Sequence, residues 1–95
     1  MASRIADPAL ADQLPPEELA WQAHVTPVTE AACREVARLD LRGRTVACWQ
    51  HVTLNTVSTL LALRQAGAEV VLGACNVDST DDRVAADLAG RGVRV

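Results

Sequence analysis

The sequence predicts an α/β chain: a βαβαβ half-unit with a parallel three-strand sheet, preceded by N-terminal helices. Three observations predict it. Thr45 to Trp49 is a short run of β-formers with an apolar centre, set off by the turn residue Gly43. The spacing then lengthens, and Leu54, Val57, Leu60 and Leu61 fall on one helical stripe that Gly67 ends. Glu69 to Ala74 returns to a strand run. Strand, helix and strand within about thirty residues form a βαβ unit, whose strands are parallel and whose crossover is right-handed.

The elements follow in order. Asp7 before Pro8 suits an N-cap with proline at the first helical position, and Ala9 to Gln13 makes a single turn. Pro15-Pro16-Glu17-Glu18 opens a helix with acidic residues in its first turn, where the helix dipole favours them. That helix runs through Leu19, Ala20 and Trp21 and falters before Pro27. Thr29 to Leu39 is a second helix, with Ala32, Val36 and Leu39 facing the body. On its other face Glu30 attracts Arg34, and Arg34 repels Arg38, at i, i+4 spacing. After the βαβ unit, Asp78 or Ser79 is placed to cap a helix through Val84, Ala85 and Leu88, with Gly90 as its C′ residue. Gly92 to Val95 begins a third parallel strand. A half-unit ending there leaves a raw sheet edge, so we expect either a covering partner or, the favoured reading, a piece of a longer protein.

Composition narrows the function classes. The 95 residues allow one small domain, burying roughly two thirds of the unfolded surface. With 49% hydrophobic and 22% charged residues the chain is globular, and no apolar run is long enough to span a membrane. No secretory signal opens it, so a cytoplasmic setting with reduced thiols is expected. The net charge of −3 with scattered Arg argues against nucleic acid as a partner. Lysine is absent, so the chain brings no amine nucleophile.

In a parallel sheet, ligands bind beyond the carboxyl ends of the strands. The residues there are Gln50, His51 and Thr53 after the first strand, and Cys75, Asn76, Asp78 and Ser79 after the second. His51 is a candidate site residue; the bland alternative is a histidine capping the next helix. Thr53 is a candidate ligand hydroxyl that could equally serve as an N-cap, and Ser79, Thr80 and Asp82 read first as cap chemistry. Trp49 reads as a core anchor and Cys48 as a small buried hydrophobe. His24 reads as a surface residue. A zinc site from Cys48, His51 and Cys75 is conceivable, but no close-spaced ligand pair supports it. Ala47 to Thr56 contains no glycine, which excludes the Gly-x-Gly-x-x-Gly turn of a dinucleotide site at this junction.

Several blocks, in order, resemble the N-terminal part of the S-adenosyl-L-homocysteine hydrolase family. They are Ile5 to Asp12, His51-Val52-Thr53 with Thr56, Ala66 to Val70, and Cys75-Asn76 followed by Ser79-Thr80 and Asp82. The resemblance implies residues 1–40 as a helical lead-in and 41–95 as a truncated, Rossmann-like substrate-binding domain. It implies adenosine or S-adenosyl-L-homocysteine as ligand, with NAD held by a domain absent from this chain. In the family's scheme NAD oxidises the ribose 3′-hydroxyl, homocysteine is eliminated, water adds at C5′ and the ketone is reduced back. His51 would then be the catalytic acid/base near the 5′ end, with Thr53, Asn55, Thr56, Asn76 and Ser79 binding substrate. Asn55 would meet the adenine edge, although it is shorter than the family's usual Glu or Gln. Gln50 and Asp81 also depart from the family's pattern. The expected function is therefore a substrate-domain fragment of an adenosylhomocysteinase, not competent alone, functioning with the remainder of a longer chain or as a homo-oligomer. The alternatives are a non-catalytic relative binding an adenosine-type ligand or a partner, and a purely structural α/β piece.

Overall fold

A computed structural model describes residues 3–95 of the chain; Met1 and Ala2, which open the expected lead-in, lie outside the described residues. Strands β1 (Thr45–Gln50) and β2 (Glu69–Ala74) run parallel, in register from Thr45 opposite Glu69 to Gln50 opposite Ala74. Helix α3 (Leu54–Gln65) connects them. The chain leaves α3 through Gly67 at φ +103°, in the left-handed region that glycine tolerates best. A side chain there would also collide with Arg42, whose Cγ lies 2.7 Å from where a Cβ would stand. Helix α4 (Asp82–Gly90) follows β2 after a short 3-10 turn at Val77–Ser79.

The expected third strand is reduced to a single parallel bridge between Val71 and Arg94, so the sheet has two strands. Arg94 N–H donates to the Val70 carbonyl at 2.9 Å, and Leu72 N–H donates to the Arg94 carbonyl at 2.8 Å. A ladder needs successive pairs along an extended run, and the residues after Gly92 supply one. The other side of this segment meets the N-terminal lead-in. Arg4 N–H donates to the Val95 carbonyl at 2.8 Å, and Val95 N–H donates to Ser3 Oγ at 3.1 Å.

Side chains alternate across the sheet as strand geometry requires. Val70 and Leu72, with partly buried Val46 and Cys48, join a core completed by Val57 and Leu60 of α3 and by Val84, Ala85 and Leu88 of α4. Val52, Ala68 and Val93 close its ends. The opposite face carries Thr45, Ala47 and Trp49 in solvent, beside half-buried Val71 and Gly73. Trp49 is therefore no core anchor: it is 76% exposed and lies over Gly73, its register partner. Alternation puts position 49 on the face opposite Cys48, and the core side of the sheet was already taken by Val46 and Cys48.

Ahead of the sheet lie a 3-10 helix (Pro8–Gln13), α1 (Pro16–Val25) and α2 (Pro27–Ala37). Asp7 Oδ1 caps the first of these by accepting the Ala9 N–H at 2.9 Å, as expected. The second helix begins at Pro27, with proline in its first turn. Its expected inner face is turned in part: Val36 is half-buried, but Ala32 and Leu39 are exposed, while Glu30 and Cys33 approach α3. Glu30 accepts from Ser58 Oγ at 2.5 Å, and Arg38 pairs with Glu35 at 3.2 Å. At α4 the N-cap is Asp81, whose Oδ1 accepts the Arg83 N–H at 3.0 Å; neither Asp78 nor Ser79 serves. Gly90 is the last helical residue, and the left-handed position is Gly92 at φ +93°.

Candidate functional site

Because β1 and β2 are parallel and in register, their carboxyl ends finish side by side. Cys75 N–H donates to the Gln50 carbonyl at 3.2 Å, carrying the pairing one residue past the strands. The two connections then diverge around a rim. Val52 is fully buried and anchors the first connection in the core. Its carbonyl accepts the Asp81 N–H at 2.8 Å, which draws the second connection across. Between these two ties His51 Nδ1 lies 2.7 Å from Ser79 Oγ.

Local hydrogen bonds fix the Ser79 side of the rim. Asn76 Oδ1 accepts the Asp78 N–H at 2.9 Å and so caps the 3-10 turn. The Asn76 carbonyl accepts from Thr80 Oγ1 at 2.9 Å and from Ser79 Oγ at 3.2 Å. On the His51 side, Thr53 and Thr56 form a capping box at the start of α3. Thr56 Oγ1 receives the Thr53 N–H at 3.4 Å and lies 3.0 Å from the carbonyls of both His51 and Thr53. Thr56 thus orients the peptide that carries the imidazole.

The residues singled out from the sequence are brought together unequally. His51 and Ser79 touch; Thr53 and Thr56 stand at the head of α3; Asn55 is exposed in its first turn. Asn76 is exposed on the far side of the rim, with its side-chain oxygen engaged in the cap. Cys48, His51 and Cys75 do not assemble a metal site, since among the described residues no three such side chains come within reach of one ion. Cys48 behaves as the expected apolar group, and burial pushes its thiol above the usual range. Composition and spacing missed the clamp between Val52 and Asp81, a main-chain contact with no side-chain signature.

One charged group beside the rim is paired. Asp81 accepts from Arg83 at 2.9 Å, and the same guanidinium reaches Glu18 of α1 at 3.3 Å. The hydrogen bonds from Arg83 hold the Asp81 carboxyl below the usual carboxylate range. The His51 imidazole is exposed and is engaged at Nδ1 by the Ser79 hydroxyl.

This defines a class of protein: an α/β unit whose parallel strand ends carry a candidate side-chain site and no phosphate-cradling glycine turn. Comparison with known families makes it specific. The family model described as S-adenosyl-L-homocysteine hydrolase matches residues 18–95, and the chain belongs to that family. It is similar to the adenosylhomocysteinase of Pyrobaculum aerophilum, 40% identical over 94 residues that cover 98% of this chain and 21% of the relative. The adenosylhomocysteinase of Sulfolobus acidocaldarius is 34% identical over 96 residues, 100% of this chain and 23% of the relative. That of Halobacterium salinarum is 32% identical over 89 residues, 93% and 21% respectively. The chain therefore spans little more than a fifth of the length of these curated relatives.

Proposed function

We propose that this chain forms the opening part of the substrate-binding unit of an adenosylhomocysteinase and receives adenosine or S-adenosyl-L-homocysteine at the rim beyond β1 and β2. The observation that carries the reading is the 2.7 Å contact from His51 to Ser79, which joins the two strand ends the family motifs occupy. In this reading residues 1–40 are a helical lead-in and 41–95 the Rossmann-like substrate-binding part, completed by the remainder of a longer chain or by a second copy. The setting is the cytoplasm; among the described residues no helix is long and apolar enough to cross a membrane.

The roles follow from chemistry at the rim. His51 gives a proton to the departing homocysteine sulfur and takes one from the incoming water at C5′. Thr53 hydrogen-bonds the substrate, and Asn55, exposed at the head of α3, offers an amide that both donates and accepts at the adenine edge. Thr56, Asn76 and Ser79 complete the pocket. NAD, which the family uses, does not fit this chain: the turn from Gln50 to Leu54 has no glycine and cannot bring its backbone onto a pyrophosphate. Binding and proton exchange are this chain's share of reversible S-adenosyl-L-homocysteine hydrolysis.

A second reading, a non-catalytic relative that binds an adenosine-type ligand or a partner, draws on Asn55, which has lost a methylene of reach relative to Glu or Gln. Calorimetric titration of the chain with adenosine tests the site. His51→Ala should weaken adenosine binding about tenfold, the size of one lost hydrogen bond. Unchanged affinity would remove His51 from the site under either reading.

A further inference from the structure

We propose that Ser79 is the positioning residue for His51: it holds the neutral imidazole as the Nδ1–H tautomer, so that Nε2 is the nitrogen that exchanges protons. The inference rests on the reading of His51 as acid/base and assigns Ser79 a task other than touching substrate.

The reasoning is donor arithmetic. Ser79 Oγ stands 2.7 Å from His51 Nδ1 and 3.2 Å from the Asn76 carbonyl, and a hydroxyl has one proton. A carbonyl can only accept, so the contact with Asn76 takes that proton. The Asn76 oxygen also accepts from Thr80 Oγ1 at 2.9 Å, which its two lone pairs allow. Ser79 is then left with lone pairs alone toward the imidazole, and the short contact is a hydrogen bond only if Nδ1 carries hydrogen. With the proton on Nε2 instead, Ser79 would have to give up one of its two bonds, either that to the Asn76 carbonyl, which would keep Thr80 alone, or that to Nδ1. Which nitrogen of a histidine is protonated is set by the bond the other makes. Among the described residues Nε2 has no hydrogen-bond partner, so its lone pair is free for a substrate proton.

The device is rigid for identifiable reasons. Asn76 Oδ1 pins the turn that carries Ser79, and the Asp81 N–H to Val52 carbonyl bond holds that turn beside the His51 connection. Neither tie involves the imidazole, so the hydroxyl's position does not depend on the ring it serves.

Nitrogen-15 NMR of the histidine-labelled chain, at a pH where imidazole is neutral, reads the tautomer directly. His24 is the internal reference: it is exposed on α1, with Trp21 as a ring neighbour at 5.7 Å between centroids. His51 should show a pyrrole-like Nδ1 and a pyridine-like Nε2, well separated, while His24 shows the averaged pair of a free ring. Ser79→Ala should collapse the His51 separation toward that of His24, and Ser79→Thr, which keeps the hydroxyl, should preserve it. A wild-type His51 that matches His24, or shows Nδ1 pyridine-like, overturns the proposal even if the alanine variant fails to fold. So does a folded Ser79→Ala whose His51 signals do not move. No ligand enters this measurement. A locked tautomer with adenosine affinity indifferent to His51→Ala would sink the functional reading and leave the lock standing.

Discussion

The helices on the two sides of α3 are held by different physics. Toward the sheet, α3 and α4 bury Val57, Leu60, Val84, Ala85 and Leu88. Away from it, neither α1 nor α2 has a fully buried residue. Beyond the partial burial of Leu19 against the core, that outer layer is tied by polar contacts: Ser58 to Glu30, and Arg83 bridging Glu18 and Asp81. A groove of about 440 Å³ stays open between α2 and α3. The lesson is one of division of labour. Apolar burial at roughly 25 cal/mol per Å² sets the stability of the sheet-facing layer, whereas partly exposed ion pairs mainly set where the outer helices lie.

The contrast can be broken most directly in the core. Leu60→Ala or Leu88→Ala should cost about 2–5 kcal/mol in urea unfolding, because each side chain is fully enclosed. Val36→Ala on α2 should cost under about 1 kcal/mol, and equal losses at both sites would erase the distinction. Next in size is the open face of the sheet. A Cβ at Gly73 would stand 2.5 Å from Trp49 Cε3, so Gly73→Ala should destabilise by about 1–3 kcal/mol through overpacking. Adding Trp49→Ala should return most of that loss, and an additive double mutant would show that the indole is not the obstacle. The smallest effect belongs to the polar ties. Asp81 has a depressed folded-state pKa, so its contribution is present above the unfolded carboxylate value and lost as pH falls through the folded one. Thermal midpoints should therefore fall below about pH 4, and Arg83→Gln should flatten that acid limb. An unaltered acid limb would mean the pair orients α1 without stabilising it.

Local pattern carried much of the fold. β1 from Thr45, the break at Gly67, and β2 over Glu69–Ala74 were legible because each signal lies within a few residues of the feature it sets. What failed had its cause elsewhere in the chain. Ala32 and Leu39 fall off the inner face of α2, where only Val36 of the expected three is half-buried, because its neighbour is polar: Glu30 turns inward for Ser58, a partner 28 residues away. Trp49 was misplaced because alternation says which residues share a face, not which face is covered. The same holds at the site. His51 and Ser79 could each be singled out, but their contact spans 28 residues and depends on strand register. The cap of α4 passed to Asp81 because the Ser79 hydroxyl is engaged by Asn76 and His51.

The placement of Trp49 has an optical consequence. The chain contains two tryptophans and no tyrosine, so replacing Trp21 leaves a single emitting ring, seated two residues before the imidazole. In the bare chain that ring looks into water and should glow at the red end of indole emission. Any surface laid over it would turn the colour bluer, giving the molecule a built-in gauge of when its uncovered side acquires a neighbour.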